Sequence, residues 1–224
     1  MSVRLECPLC GSESQKIFYD QVEKAYGKMV RRAYFRCQDC RLIHLNPQFR
    51  LSPEKEKQRY QEHDNQITKS YLKFLSRLWG PLKSHLQEGM TGLDYGCGPV
   101  QAMAQLAAED GFQLDSYDLY FYPEGGEGRP YDFLILSEVI EHFAEVGVEL
   151  ERCLSYLKPG GIVAVMTEIY EQQDFKAWHY RMDPTHISLF SVETFDALAK
   201  QFQLQLLFRD SRVHIFKSTL TETP

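Results

Sequence analysis

The amino-acid sequence predicts a doubly wound α/β fold with a small cysteine-bearing module in front of it. Three observations carry that prediction. From residue 90 onward, strand-like and helix-like runs alternate, which is the pattern of a parallel sheet with crossover helices. One of those runs, residues 131–136, is almost unbroken in its apolar character, as a strand buried on both faces requires. Near the start, two C-x₂-C pairs, Cys7/Cys10 and Cys37/Cys40, stand 26 residues apart.

Size and composition fit this plan. The chain has 224 residues, 43% of them hydrophobic and 25% charged. That is enough for one full α/β domain and a small appendage. No apolar run reaches the length of a membrane span; the best one, residues 162–166, is strand-sized. No apolar stretch precedes Cys7, so the expected location is the reducing cytoplasm, where paired cysteines are better read as metal ligands than as disulfides. The net charge of −6 is unevenly spread: residues 1–89 carry 16 basic and 10 acidic side chains, and residues 90–224 carry 9 and 21. Solvated helix faces such as residues 54–57 account for this asymmetry better than an anionic partner does.

Residues 1–50 form the first expected unit. Its strand-like runs are residues 16–20 and 33–37, and Asn46-Pro47 marks an extended exit. Residues 51–89 form a helical linker. Ser52 is placed as N-cap ahead of Pro53, and Tyr71, Leu72, Leu75, Leu78 and Trp79 recur at helical spacing until Gly80-Pro81 stops the second helix. The third unit is residues 90–224. Its expected strands are 92–94, 113–118, 131–136 and 162–167, with a closing antiparallel pair at 203–209 and 213–217. Its expected helices are 101–110, 146–157 and 191–200, the last capped by Ser191, and residues 158–161 act as a breaker after the second.

The two cysteine pairs have the spacing of two metal knuckles joined by a hairpin, and together they predict one tetrahedral zinc site of Cys7, Cys10, Cys37 and Cys40. Four thiolates leave no open coordination position, so this zinc is structural. His44 lies near but is redundant as a ligand. Cys153 is read as helix core and Cys97 as part of the turn described next.

Asp94-Tyr95-Gly96-Cys97-Gly98-Pro99 falls where the first strand of the third unit meets a helix. Glycines there permit a tight turn with the backbone close to a ligand. This is not the dinucleotide fingerprint, because Gln101 stands where the third glycine would fall. An acidic residue ahead of the glycines suits a ligand with an ammonium group, and Asp118, 24 residues further on, suits a ribose diol.

Residues 94–99, Asp118, the strand 131–136 with Ser137-Glu138-Val139-Ile140-Glu141-His142 after it, and residues 157–161 resemble, in this order, successive motifs of class I S-adenosylmethionine-dependent methyltransferases. The resemblance covers about residues 90–217. It implies a Rossmann-like methyltransferase sheet and S-adenosylmethionine as cofactor, held by Asp94, Gly96, Gly98, Asp118 and Ser137. It also implies methyl transfer to an oxygen nucleophile, with a small molecule as acceptor. One departure stands out. Members of the family usually place a helix and a strand between the two segments that end at Asp118 and begin near Asp132. Here 13 residues lie between those aspartates, rich in glycine and proline. A shortened flank is therefore expected. The four cysteines, Leu45-Asn46-Pro47 and the helical linker resemble bacterial methyltransferases with an N-terminal zinc ribbon, whose relatives act on sugars, lipids and quinones.

Glu138, Glu141 and His142 stand at i, i+3 and i+4. On a helix they would share a face, and with His186 they make a candidate second divalent-metal site. This spacing resembles metal-dependent 2′-O-methyltransferases of small-RNA ends, which keeps RNA as an alternative acceptor. The competing reading, a turn that buttresses the cofactor loop without metal, weighs more. His186, His179 and Tyr180 are the candidate general bases. The reading from another class is a non-catalytic cofactor-binding adaptor whose ribbon recruits a partner. The sequence does not specify an oligomeric state.

Overall fold

The computed structural model describes residues 5–25, 28–62, 66–126 and 130–220. Its centre is a six-stranded sheet in the order β5-β4-β6-β7-β10-β9. Strands β4 (Thr91–Tyr95), β5 (Gln113–Tyr117), β6 (Tyr131–Ser137) and β7 (Leu157–Met166) are parallel; β9 (Leu204–Arg209) and β10 (Val213–Ser218) complete the sheet antiparallel. The shortened flank is present. β5 is an edge strand, and residues 119–126 form turns with a single bridge between Asp118 and Tyr122.

Side chains of β6 alternate between two cores, as a strand covered on both faces demands. Phe133 and Ile135 pack with α2 (Lys69–Lys83) and α3 (Ala102–Glu109). Leu134 and Leu136 face α4 (Val146–Ser155) and α5 (Val192–Gln201), and this second core also contains Cys7, Leu9, Cys37, Cys40 and Leu42. The helix starts read from the sequence are of unequal quality. Ser191 and Thr194 form a complete capping box on α5. Ser52 has extended cap geometry before α1 (Pro53–Gln61) but makes no side-chain cap bond.

Two expected boundaries are corrected. α2 does not stop at Gly80-Pro81 but runs through Pro81 to Lys83. Leu78, Trp79 and Leu82 are buried on either side of the proline, and Asp110 accepts hydrogen bonds from Trp79 Nε1 (2.7 Å) and Lys83 Nζ (2.9 Å), so tertiary packing overrides the local breaker. Residues 158–161 likewise do not separate helix from strand; they lie inside β7, accommodated by a register shift opposite Tyr131 and Phe133.

The second sheet has the order β1-β2-β3-β8. β1 (Gln15–Ala25) and β2 (Lys28–Cys37) form a long hairpin, and β3 (Ile43–Leu45) pairs with β2. β8 (Ser188–Leu189), which sequence pattern did not reveal, pairs with β3 through Ile43–Leu189 and His44–Ser188. Residue 50 is therefore a boundary in chain order and not in packing. A third core of Tyr34, Ile43, Leu45, Phe175, Trp178, Tyr180, Ile187 and Leu189 fills the space between the hairpin and residues 175–189. Among the described residues, no helix is long and apolar enough to cross a membrane.

Candidate functional site

The carboxyl ends of β4, β5 and β6 open into a cleft of about 390 Å³. Its floor is the glycine turn after β4. Gly96 (φ +83°) and Gly98 (φ +66°) adopt left-handed backbone conformations. A Cβ on Gly96 would meet Val139 Cγ2 at 2.6 Å, so glycine is required by space as well as by backbone angle. Asp118 holds the turn from the other side. Its Oδ2 accepts the Gly98 N–H at 3.0 Å, and its Oδ1 accepts those of Tyr120 (2.8 Å) and Phe121 (3.1 Å). A carboxylate has about four lone-pair sites, so these bonds leave Asp118 capacity for a ligand hydroxyl. Ser137, at the end of β6, also lines the cleft, and its buried hydroxyl has no hydrogen-bond partner among the described residues.

Asp94 sits behind this floor and is not one of the lining residues. Burial, and secondarily the neighbouring Asp118, push its carboxyl up to about 7. A carboxyl raised in the folded state binds its proton more tightly there than in the unfolded chain. The stability it contributes is complete below about pH 4 and is lost as pH rises towards 7. Thermal melting from pH 4 to 8 should show this loss in the wild type, and Asp94→Asn should flatten the slope. Parallel slopes in the two proteins would refute it.

Several residues of the cleft have no counterpart in the sequence-derived set. Tyr60 of α1 and Tyr120 converge on Glu56, with hydrogen bonds of 2.9 and 3.1 Å to its two oxygens. The ring of Tyr60 meets that of His142 edge-on at 5.3 Å. The available signal was one aromatic in an otherwise polar helix with no buried residue.

The acidic and histidine cluster is built differently from the helical face expected. Glu138 lies in the left-handed region (φ +54°), and Ile140–His142 form a single 3-10 turn. Glu138 does not bring a ligand atom into the group formed by the other three side chains, although it shares the Tyr180 hydroxyl with Glu141. The Oε2 of Glu138 lies 3.1 Å from Tyr180 Oη, and Arg212 lies 3.6 Å from its Oε1. Glu141, His142 and His186 do converge, with one ligand atom from each within 4.8 Å of the others. Glu141 is fully buried; one carboxylate oxygen accepts from Tyr180 Oη and the other has no partner among the described residues. Burial, then the nearby Glu138, raise its carboxyl to about 8, and burial raises that of Glu138 to about 7.

The Nδ1 atoms of His142 and His186 lie 2.9 Å from Thr185 O and 2.7 Å from Tyr180 O. A carbonyl only accepts, so each Nδ1 carries a proton, and in the neutral imidazole the lone pair then lies on Nε2. This carbonyl–imidazole arrangement is the one that orients metal-ligating or proton-accepting histidines. The other two candidate bases are corrected. Tyr180 is hydrogen-bonded to Glu141, is buried in the third core, and is held well above its ordinary value by burial and the two glutamates, which favours its protonated form over that of a base. His179 has a side chain 78% exposed and lies 3.4 Å from Glu168; of the cluster, Glu138 and His142 line the cleft, whereas Glu141, His186 and His179 do not.

At the opposite end, the sulfurs of Cys7 and Cys40 are 3.4 Å apart and those of Cys10 and Cys37 3.7 Å, with all four within 4.8 Å. A tetrahedron with Zn–S bonds of about 2.3 Å has edges of about 3.8 Å, so the four thiols fit zinc. His44 is turned away: its Nε2 is 3.0 Å from Gln15 Oε1, and burial lowers its pKa to about 4.

Residues 60–207 match the family model described as a methyltransferase domain. A ubiquinone biosynthesis O-methyltransferase of Bradyrhizobium sp. (strain ORS 278) is 35% identical over 78 residues, covering 35% of this chain and 30% of that protein. The protein of the same name from Nitrobacter winogradskyi is 49% identical over 66 residues, covering 30% and 25%. These matches span less than half the length of either relative. Among solved structures, the Burkholderia thailandensis 1,6-didemethyltoxoflavin-N1-methyltransferase, with bound 1,6-didemethyltoxoflavin and S-adenosylhomocysteine, shares the fold with a TM-score of 0.57. It is 15% identical, and the match covers 89% of this chain and 99% of that one.

Proposed function

The chain belongs to the methyltransferase-domain family, and from that premise we propose that it transfers the methyl group of S-adenosylmethionine to a hydroxyl oxygen of a small phenolic molecule. The observation that carries this reading is the cleft floor, where a glycine turn clamped by Asp118 faces an unpartnered Ser137 hydroxyl. Asp94, Gly96, Gly98, Asp118 and Ser137 are assigned to the cofactor, with Asp118 accepting from the ribose and Asp94 supplying negative potential beneath the ammonium end. The phenolic class is supported by the tyrosines at the cleft mouth and by the ubiquinone-pathway names of the relatives. Neither the adaptor reading nor the RNA reading has comparable support.

Sulfonium methyl transfer depends chiefly on alignment of donor and acceptor, so the protein's main contribution is positioning. His186, whose Nδ1 is held by the Tyr180 carbonyl, is the assigned base. Glu141, His142 and His186 are the assigned ligands of a divalent ion, which when bound would acidify an acceptor hydroxyl. Glu138 is assigned to orient Tyr180. Residues 1–50 are assigned as a structural zinc ribbon, 51–89 as linker and 90–224 as the methyltransferase domain, acting in the cytoplasm.

Incubation with S-adenosylmethionine and phenolic probes, catechol among them, should yield S-adenosylhomocysteine and a product heavier by one methyl. Calorimetry with S-adenosylhomocysteine should show binding that Asp94→Ala weakens about tenfold, about 1.4 kcal/mol, as the negative potential under the ammonium end is lost. Absence of any S-adenosylhomocysteine binding by the folded wild-type protein would sink the proposal.

A further inference from the structure

We infer that the N-terminal hairpin is a positioning element of the acceptor end of the cleft, acting through Arg181. The inference rests on the reading just given, which assigns Glu141, His142 and His186 to the acceptor; of the three, His142 lines the cleft. Arg181 is the largest fully buried side chain among the described residues. Its two terminal nitrogens grip Glu23 of β1 in a two-pronged ion pair of 2.7 and 2.9 Å, and its guanidinium stacks 4.8 Å above the ring of Tyr19. Arg32 of β2 reaches the same segment from the other strand. It donates to the backbone carbonyls of Arg181 and Met182, and Tyr34 Oη adds a 3.3 Å bond to Arg181 O. One hairpin therefore holds both the side chain and the backbone of residue 181.

The residues so held are the immediate neighbours of the cluster. Tyr180, one residue before, places its hydroxyl within hydrogen-bond reach of Glu138 and Glu141, its single proton serving one of them at a time, and its carbonyl accepts from His186 Nδ1. A second tether closes the other end of the segment: Leu45 N donates to Ile187 O at 2.8 Å, and Ile187 N donates to Glu141 O at 2.9 Å. Residues 180–187 are thus strung between the β1–β2 hairpin at one end and β3 at the other, with His186 inside the span. An appendage that only recruited a partner would have no need to bury an arginine of the catalytic body against its own glutamate. Orientation of His142 and His186 depends on backbone carbonyls in this span, so loosening the hairpin should loosen the histidines and leave the distant glycine turn alone.

The test uses the full-length, zinc-loaded protein. Arg32→Met removes two bonds to carbonyls without stranding a charge. Glu23→Gln is the harsher variant, since it leaves the buried Arg181 without its counter-ion. The readout is proton–nitrogen NMR of the imidazole rings, which separates Nδ1–H from Nε2–H forms. Wild-type His142 and His186 should be in the Nδ1–H form, and both variants should turn them into mixtures, with Arg32→Lys partly restoring the wild-type signals. Turnover of catechol should fall about tenfold to a hundredfold while affinity for S-adenosylhomocysteine stays within about twofold, as a displacement near 1 Å at one end of the site predicts. Unchanged ring signals in a folded, zinc-loaded Arg32→Met protein would overturn the inference. Altered ring signals with wild-type turnover would support the hairpin's positioning of the histidines and instead refute the assignment of the cluster to the acceptor end.

Discussion

Replacing Cys40 by serine should cost the protein its zinc and much of its fold together. Structural zinc sites contribute about 10–16 kcal/mol in small peptides at neutral pH, as large as the whole stability of a typical domain at about 5–15 kcal/mol. In this chain the cysteines are not confined to an outlying knuckle. Cys7, Cys37 and Cys40 share a core with Leu134, Phe143, Leu150 and Phe190 of the α/β body. The Gly147 N–H donates to Pro8 O at 2.8 Å, and a Cβ on Gly147 would meet Leu9 O at 2.7 Å, so helix α4 is fitted directly to the first knuckle. The chain has two tryptophans, one on each side of the problem. Trp178 lies in the core beneath the hairpin and Trp79 in the core under α2. Fluorescence melting of Cys40→Ser should show loss of the Trp178 environment first, at a temperature well below the wild-type transition, and elemental analysis should find less than one zinc per chain. A variant that keeps a full zinc and melts like the wild type would show that the four thiols do not act as one site.

What the sequence could disclose was whatever is local or fixed in spacing. The four cysteines, the turn at residues 94–99 and Asp118 depend on contacts within a strand–turn–helix unit or on identical C-x₂-C knuckles, and each is readable without knowing the fold. The shortened flank was legible because 13 residues cannot hold a helix and a strand. The hidden features depend on partners far away in the chain. Arg32 and Arg181 are 149 residues apart, and nothing in either neighbourhood marks them as a pair. β8 has two residues, too few for any periodicity, and exists because β3 presents an open edge to it. The misplacement of Glu138 has a different origin. Spacing of i, i+3 and i+4 implies a shared face only if the backbone is helical, and a left-handed residue at Glu138 breaks that premise. Tyr180 looked like a base by residue type; only its two carboxylate neighbours show it to be a donor.

Dialysis against a chelator should abolish most of the methyl transfer, and Mg²⁺ or Mn²⁺ should restore it, while the Cys₄ zinc stays in place. The expectation rests on the carboxylate oxygen of Glu141 that has no partner among the described residues, and on two imidazoles whose proton-bearing nitrogens are both committed to carbonyls. A fully buried carboxylate is costly unless it is neutralised, and the three ways to neutralise it are a proton, a cation or a hydrogen-bond network. Tyr180 satisfies only one of its oxygens. A divalent ion would take the other and would make the ionised form the stable one. His186→Ala should then lower turnover by about 10²–10⁴-fold, the range expected when a general base or a ligand that fixes the acceptor is removed. Affinity for S-adenosylhomocysteine should hardly change, because the glycine turn and Asp118 follow β4 and β5, and His186 is not one of the residues that line the cleft with them. The metal-free alternative makes a different prediction for the same pair of experiments. If Glu141 is neutralised by a proton and His186 acts alone as base, activity survives the chelator and still falls in His186→Ala. Full activity in chelator together with a silent His186→Ala would remove both roles, and Glu141 and His142 would then serve only to brace the turn that carries Glu138.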